Sequence, residues 1–407
     1  MRPQSAPAEP PTAAPFSLFH GDLLNRRFGA IGIGPRRARH IALRAGLLAA
    51  GTYLPMAVAA AVQGLFSTRL EARNFFADYA AYAQFLIAVP LFIVAERIVS
   101  LNTRDAARDF IVSGVVGPEQ LSQVDAVHHT VRRLRLSRAV ETALILVAYL
   151  LSFFTIGPEL IGVGPPRTWH TAGASESIRT FGGLTMAGAW LMLVALPVLN
   201  YIWLRLAWKI VIWTYYLYRM SRFRLHLVAS HPDLTGGIGF VSEVQAKWAL
   251  VIFAYGISNV AAVIAYKVNI EGASLRLMPV WAPAVLFVIL APSLFLLPLL
   301  MFTRQLFRTK RRAVAAYRAH ARRHAIEVES RWIGSTETPR LSDLADLSSV
   351  SATLTRTQQM RVVPFDLRSF GQLLGSTLGS IATALPLLRL EGTLEDWLSF
   401  LARMLGR

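Results

Sequence analysis

The sequence predicts an all-α membrane protein: a polytopic bundle of six transmembrane helices. One further C-terminal segment is expected either to cross as a seventh span or to turn back as a re-entrant hairpin. Two observations lead to this prediction. The 407 residues are 54% apolar, and the charged residues lie in blocks between long apolar runs. A soluble domain with a net charge of +18 would be expected to interleave charged and apolar residues instead.

Six apolar runs are long enough to cross the hydrocarbon core of a bilayer, which takes about 20 helical residues. The segment ahead of them, residues 1–40, is basic and rich in Pro and Ala, so we expect it to be disordered. Its first apolar run starts too late for a secretory signal, which predicts an uncleaved anchor. The six spans are expected at roughly 45–66, 77–95, 140–163, 183–204, 248–266 and 279–303, so that the bundle fills residues 41–303.

Counting Lys and Arg between successive spans predicts the orientation, because basic residues collect on the cytoplasmic side. From the N-terminus to the segment after span six, the counts are 7, 2, 7, 2, 6, 2 and 8. This alternation predicts a cytoplasmic N-terminus and two long cytoplasmic loops, 96–139 and 205–247. The chain holds 38 Arg against 4 Lys, a bias typical of GC-rich bacterial genomes. The expected location is therefore a bacterial inner membrane.

The C-terminal part is predicted to leave the membrane and return to it. Residues 304–368 begin as a basic cytoplasmic helix and continue as a flexible connector rich in Ser and Thr. Residues 369–407 combine an apolar, glycine-rich segment with an amphipathic terminal helix. Glycines at four-residue spacing let a second helix approach closely. A membrane-protein partner or a second copy of the chain is therefore expected to contact Gly371, Gly375 and Gly379.

Polar residues are few within the spans. Asn200 and Asn259 fall near the middle of spans four and five, where they bond to each other, line a pathway or, as is more common, tie neighbouring helices together. Ionisable residues such as Glu96 and Arg205 fall near span ends, from which we expect them to reach the interface. Prolines are expected to kink or locally open the helices that contain them: Pro55, Pro90, Pro197, Pro283, Pro292 and Pro298.

The most distinctive segment lies in the cytoplasmic loop between spans four and five. Pro232 keeps the residue before it out of helical conformation. Three glycines permit positive φ or a close approach of the backbone. The loop is therefore predicted to be a shaped turn, and its candidate functional residues are His231, Pro232, Asp233, Gly236, Gly237 and Gly239.

Several chemistries compete for this loop. A metal site would use His226, His231 and Asp233, with His128 or His129 added from the neighbouring cytoplasmic loop. These residues lack the spacing typical of zinc ligands, and neither a phosphate-binding loop nor a J-domain hairpin fits the surrounding sequence. We favour a structural interpretation, in which Asp233 caps a turn and His231 bonds a backbone carbonyl. No catalytic residue, metal site or cofactor is predicted, and the lack of cysteine removes thiol chemistry.

With its His-Pro-Asp-x-x-Gly-Gly-x-Gly-Phe pattern, the loop resembles one found in uncharacterised bacterial integral membrane proteins. Residues 363–368, which read Val-Pro-Phe-Asp-Leu-Arg ahead of an apolar segment, are similar to the C-terminal part of those proteins. The resemblance covers roughly the last two thirds of the chain. It implies a multi-pass topology and an inner-membrane location, and it carries no known activity.

The basic helix at 304–323 carries eight positive charges beside the membrane. Such charges bind anionic lipid head groups at about 1 kcal/mol each, and they also fix topology. The candidate head-group ligands are Arg304, Arg308, Arg311 and Arg312. Nucleic acid is not expected as a partner, because aromatic residues are not interleaved with these arginines.

The function class that fits these observations best is a non-enzymatic membrane component: a scaffold, a sensor or an accessory subunit. Two alternatives stay open. One is a transporter or channel for a small solute, which the prolines and the asparagine pair favour. The other is a membrane-bound enzyme that acts on a lipid-linked substrate through His231 and Asp233.

Overall fold

In the computed structural model, every regular element within the described residues is a helix. Six helices are long and apolar enough to cross a membrane. The predicted all-α bundle of six spans is therefore confirmed. The structure describes residues 16–18, 23–34, 37–65, 75–160, 168–171, 183–271, 278–333 and 341–383.

The six spans are α2, α3, α5, α6, the pair α7–α8, and α9 continuing into α10. Short 3-10 turns lie at Phe75–Ala77, Pro118–Gln120 and Leu297–Phe302. In chain order, the helices are α1 (Leu23–Ala30), α2 (Ala38–Val62), α3 (Tyr79–Val112), α4 (Leu121–Arg135), α5 (Arg138–Leu160), α6 (Met186–Met220), α7 (Gly239–Lys247), α8 (Ala249–Glu271), α9 (Met278–Leu296), α10 (Thr303–Ile333), α11 (Leu341–Gln359) and α12 (Leu367–Ala382).

Helices α3 and α6 each contain a π-helical stretch, Tyr82–Ala88 in α3 and Leu191–Ala195 in α6. Each stretch ends shortly before a proline, Pro90 or Pro197. Proline has no N–H to donate, and its ring clashes with the carbonyl four residues earlier. The wider π turn relieves that clash. These two prolines therefore open their helices locally, as the sequence predicts.

Helices α3 and α6 form the centre of the bundle. Helices α2, α7 and α8 pack against α3, while α4 and α5 pack against α6. An ion pair joins the two central helices, because the Arg205 guanidinium donates to both carboxylate oxygens of Glu96. The two residues are only 2% and 6% exposed. An unpaired charge would be costly at this buried position, so the ion pair fixes the two helices relative to each other.

The expectation that Glu96 and Arg205 reach the membrane interface is wrong. The apolar runs end near these residues, but the helices continue: α3 and α6 contain 34 and 35 residues. At about 1.5 Å per residue, each helix is longer than the hydrocarbon core is thick. Both side chains turn inward between the packed helices rather than outward. Arg44 and Lys209 are likewise buried.

The described part of the N-terminal segment is folded, in contrast to the predicted disorder. The Asn25 amide of α1 donates to Glu96 over 3.1 Å and accepts from Arg44 of α2 over 2.7 Å. At the start of α1, the Leu23 N–H and the Arg26 guanidinium both donate to Glu141 of α5. These long-range polar contacts hold α1 on the bundle, and local composition does not reveal them.

The connections between helices gather at two ends of the bundle. At one, which we call the basic end, the His226 N–H donates to the Val115 carbonyl over 2.8 Å, and Gln305 donates to the Phe223 carbonyl over 2.9 Å. At the opposite end, the Trp169 indole donates to Asp78 over 2.8 Å. Most of the basic loops that the sequence places on one side thus meet in a single packed surface.

Helices α10 and α11 form a hairpin that leaves the basic end and returns to it. Lys310 near the start of α10 donates to the carbonyl of Met360, just after α11, over 2.6 Å. Thr357 and Met360 are fully buried. The region predicted as a flexible connector is therefore helical over Leu341–Gln359, because α11 packs along α10.

Helix α12 runs beside α7 and α8 in the same direction. At its start, the Ser369 and Ser242 hydroxyls lie 3.0 Å apart. Near its end, a Cβ added to Gly256 would lie 2.0 Å from the Ser380 hydroxyl, so only glycine permits this approach. The apolar C-terminal segment thus penetrates from the basic end to about the middle of span five.

The glycines of α12 do not make its closest contacts. A Cβ on Gly371 or Gly375 would meet nothing within 4 Å, and one on Gly379 would touch Phe253 at 3.5 Å. The buried side of α12 instead carries Ser369, Leu373, Thr377 and Ser380. Residues 384–407 lie outside the described residues. They include the predicted amphipathic helix. They also include the residues whose course would distinguish a seventh span from a re-entrant hairpin.

We expect the variant Arg205→Met to lose about 3–5 kcal/mol of unfolding free energy, because Glu96 would keep a buried charge without its central partner. The double variant Glu96→Leu/Arg205→Met should recover at least half of that loss, since both charges are gone. Unfolding in mixed detergent micelles measures both. Arg222→Met, at an exposed site, is the control and should change stability by no more than about 0.5 kcal/mol. A double variant no more stable than Arg205→Met would contradict the conclusion that Glu96 and Arg205 form a buried ion pair.

Candidate functional site

The loop between α6 and α7 folds around one carboxylate. Asp233 accepts backbone N–H groups from Thr235 over 2.9 Å, from Gly237 over 3.0 Å and from Gly239 over 2.9 Å. Three donors converging on two oxygens are typical of a capped turn. Asp233 therefore caps the turn, and its carboxylate points into the loop.

The backbone of this loop requires its glycines. Gly236 and Gly237 have φ of 72° and 95°, a region that residues with a Cβ rarely adopt. Leu234 also has positive φ, at 56°. Its N–H donates to the His231 carbonyl over 3.1 Å, and its own carbonyl accepts from the Arg361 N–H over 2.6 Å. The strained residue is held from both sides, which joins the loop to the segment after α11.

His231 contacts Asp233 instead of the predicted backbone carbonyl. Its Nδ1 lies 2.8 Å from the Asp233 carboxylate, and the imidazole is 45% exposed. Burial of the Asp233 carboxyl would raise its pKa, but the N–H donors of Thr235, Gly239 and Gly237 more than offset this and hold the pKa below its usual range. Asp233 is therefore ionised at neutral pH and is occupied in structural bonds.

The histidines weighed for a metal site do not converge. His226 lies 4.0 Å from Glu119, whereas His231 pairs with Asp233. His128 is buried in α4 and its neighbour His129 is exposed. Among the residues that the structure describes, no group of three or more His, Asp or Glu could hold a metal ion.

The two asparagines near mid-membrane do not bond to each other. Asn200 of α6 donates to the Ser152 hydroxyl of α5 over 3.0 Å and accepts from the Trp203 indole over 3.3 Å. Asn259 donates to the Tyr255 carbonyl of its own helix over 2.8 Å. Asn200 thus ties α6 to α5, the most ordinary of the roles that the sequence left open.

Seven arginines of α10, all between residues 304 and 323, share one side of the helix. At 3.6 residues per turn, they fall within about 140° of the circumference. Leu306 and Val328, which are buried, lie on the other side. This exposed row, which we call the arginine stripe, extends for about 28 Å along the helix axis. Its members are Arg304, Arg308, Arg311, Arg312, Arg318, Arg322 and Arg323.

A cavity that the sequence does not reveal lies between α3, α6, α8 and α9, with a volume of about 460 Å³. Its wall is almost entirely apolar and includes the aromatic row of Trp203, Tyr255 and Phe287, whose neighbouring ring centroids lie 5.4 and 6.0 Å apart. Such a lining suits hydrocarbon rather than a polar solute. Four helices contribute to it, so no local pattern could have predicted it.

We expect Asp233→Asn to destabilise the protein by about 1.5–3 kcal/mol, the range for hydrogen bonds to a charged group. Faster hydrogen exchange at the N–H groups of Thr235, Gly237 and Gly239 would locate the effect. Because the pKa of Asp233 is lower in the folded than in the unfolded chain, its contribution is present above the unfolded value of about 3.9. The contribution is lost as pH falls through the lower folded value, so the two proteins should converge in acid.

The control for this experiment is His231→Ala. Because the imidazole is half-exposed, we expect its loss to cost less than about 1 kcal/mol. Equal losses from both variants would contradict the conclusion that the Asp233 carboxylate organises the loop.

No protein-family model, no curated protein and no solved structure matches this chain. The resemblance of the His231–Phe240 loop to loops of bacterial integral membrane proteins therefore stays a prediction. What can be said about function rests on the residues of the chain itself, which is a multi-pass helical membrane protein.

Proposed function

We propose that this chain is a non-enzymatic component of a bacterial inner membrane, with its N-terminus and basic end in the cytoplasm. Its role is that of a scaffold, sensor or accessory subunit that works through the basic end. The alternation of basic residues between spans supports this orientation. The packing of the basic loops into one surface supports an interaction role for that end.

The observation that carries this proposal is the arginine stripe of α10. Span six and α10 form one continuous helical stretch, Pro283–Ser330, of 48 residues. At about 1.5 Å per residue, it extends far beyond the hydrocarbon core. The stripe thus begins at the head-group layer and leads outward, with its arginines exposed along the whole path.

The first four arginines of the stripe are placed to bind anionic lipid head groups. Arg304, Arg308, Arg311 and Arg312 span about 12 Å from the first of them to the last, within reach of the membrane surface. Each contributes about 1 kcal/mol near an anionic surface. Arg318, Arg322 and Arg323 lie further out and provide a comparison set of three charges at greater distance from the lipid.

A second candidate function is a channel or transporter for a small solute. The specific observation is that both central helices, α3 and α6, are interrupted by π-helical stretches, which often mark functional sites. Swelling of proteoliposomes in small uncharged solutes tests this function, and its absence would count against it.

We expect nanodiscs that contain phosphatidylglycerol to stabilise the wild-type protein relative to nanodiscs of phosphatidylcholine alone. Replacing Arg304, Arg308, Arg311 and Arg312 by Gln should remove most of that gain, at about 1 kcal/mol per charge. In the control variant, Arg318, Arg322 and Arg323 are replaced by Gln, and the gain in stability from phosphatidylglycerol should be retained. Equal losses in both variants would show a general charge effect and would contradict head-group binding by the first four.

The orientation can be tested by single-cysteine labelling, since the chain has no native cysteine. Met186 at the opposite end and Ser330 in α10 are both exposed. In spheroplasts, a membrane-impermeant maleimide should label Met186→Cys, whereas Ser330→Cys should react only after the membrane is permeabilised. The reverse pattern would overturn the cytoplasmic assignment of the basic end.

A further inference from the structure

Four aromatic rings meet where the N-terminal segment contacts α4 and α6. We call this set, Phe16, His128, Trp213 and Tyr216, the aromatic pocket. The Phe16 ring centroid lies 4.7 Å from Tyr216, 5.1 Å from His128 and 6.3 Å from Trp213. Tyr216 stacks on Trp213 and on His128 with interplanar angles of 19° and 28°. Phe16 thus fills a space walled by three rings that each carry a polar atom.

The polar atoms of these three rings are buried and have no hydrogen-bond partner in the described part of the chain. They are both ring nitrogens of His128, the Trp213 indole nitrogen and the Tyr216 hydroxyl. Burying such groups without a partner is unfavourable, and native proteins rarely cluster several of them in one place. Phe16 covers them and, as a hydrocarbon ring, satisfies none. The pocket therefore has hydrogen-bonding capacity that its present occupant does not use.

The polar groups of the pocket are uncharged. Burial lowers the pKa of His128, an effect that the nearby Asp125 opposes only in part, so the imidazole is neutral at neutral pH. A neutral imidazole has one donor and one acceptor nitrogen. Together with the indole N–H and the phenol O–H, the walls offer donors and acceptors without a charge.

Phe16 is 7% exposed, and the neighbouring Leu18 is fully buried. Residues 16–18 belong to no helix, and the Ser17 carbonyl accepts a hydrogen bond from Arg135 of α4. Phe16 can therefore leave without unwinding a helix. Its ring also shows the shape of the space that becomes free, which is that of one six-membered aromatic ring.

We propose that the aromatic pocket binds a small uncharged aromatic compound bearing a hydrogen-bonding group, such as a phenol, whose ring takes the place of Phe16. The ring stacks against Tyr216 and His128 as Phe16 does. Its polar group pairs with the nitrogens and hydroxyl that Phe16 leaves unsatisfied. This site is independent of the arginine stripe and goes beyond the function proposed above.

The test compares p-cresol with toluene, which differ only in a hydroxyl, in nanodiscs of phosphatidylcholine. In Phe16→Ala, both probes should raise the unfolding temperature, with p-cresol effective at lower concentration. The ratio of the apparent affinity for p-cresol to that for toluene should be about tenfold higher in Phe16→Ala than in Phe16→Ala/His128→Leu/Tyr216→Phe. A satisfied hydrogen bond contributes about this much. Each probe partitions into the lipid to the same extent with both variants, so partitioning does not affect the comparison of the two ratios. An equal ratio in the two variants, or no stabilisation of Phe16→Ala by either probe, overturns the proposal.

A second measurement keeps the proposal testable if Phe16→Ala does not fold. Because the chain has no cysteine, Ser17→Cys places a single thiol beside Phe16 and keeps the Phe16 ring in the pocket. Saturating p-cresol should speed the reaction of this thiol with a maleimide several-fold, since the ring displaces the segment. Ile31→Cys, at a position that is 63% exposed, should react at an unchanged rate. Labelling of Ser17→Cys that is unchanged or slower with p-cresol contradicts displacement.

Discussion

The ion pair between Glu96 and Arg205 is the contact that the rest of the bundle is arranged around. Two ionised groups buried between helices are tolerable only when each is fully paired, since the desolvation penalty of an isolated charge is large. That requirement fixes α3 against α6 and draws in Asn25, which bridges Glu96 to Arg44 of α2. The need to satisfy polar groups, more than any helix propensity of its own, therefore explains why the N-terminal segment folds onto the bundle.

A second carboxylate organises the basic end in the same manner. Asp233 gathers the N–H groups of its own loop, and the resulting turn offers the Leu234 carbonyl to Arg361. The base of the α10–α11 hairpin closes a few residues away, where Lys310 bonds the Met360 carbonyl. The His-Pro-Asp loop is thus a joint between membrane spans and the C-terminal helices. The exposed surface of this end also carries the arginine stripe of α10.

Much of the fold could be predicted from the sequence, and the differences have physical reasons. The apolar runs located six spans, because crossing a bilayer sets a minimum length that composition alone reveals. They did not locate the end of α3, which continues to Val112, well beyond the apolar run that ends near residue 95. The Ser- and Thr-rich region predicted to be flexible forms α11, because packing along α10 outweighs weak local propensity. The turn at Asp233 was predictable, since a cap with glycines is a local device.

The sequence by itself determined the all-α class, the number of spans and the residue that caps the loop. Each of these follows from interactions between near neighbours or from the solvent that surrounds a segment. Only the tertiary structure decided that Glu96 faces Arg205, that α12 lies beside α8, and that Phe16 covers His128 and Tyr216. These contacts join residues about 110 to 200 positions apart, and no pattern within a single helix encodes its partner. The seven arginines of the stripe depend on both: their spacing puts them on one side of α10, and packing on the other side of the helix leaves the stripe exposed.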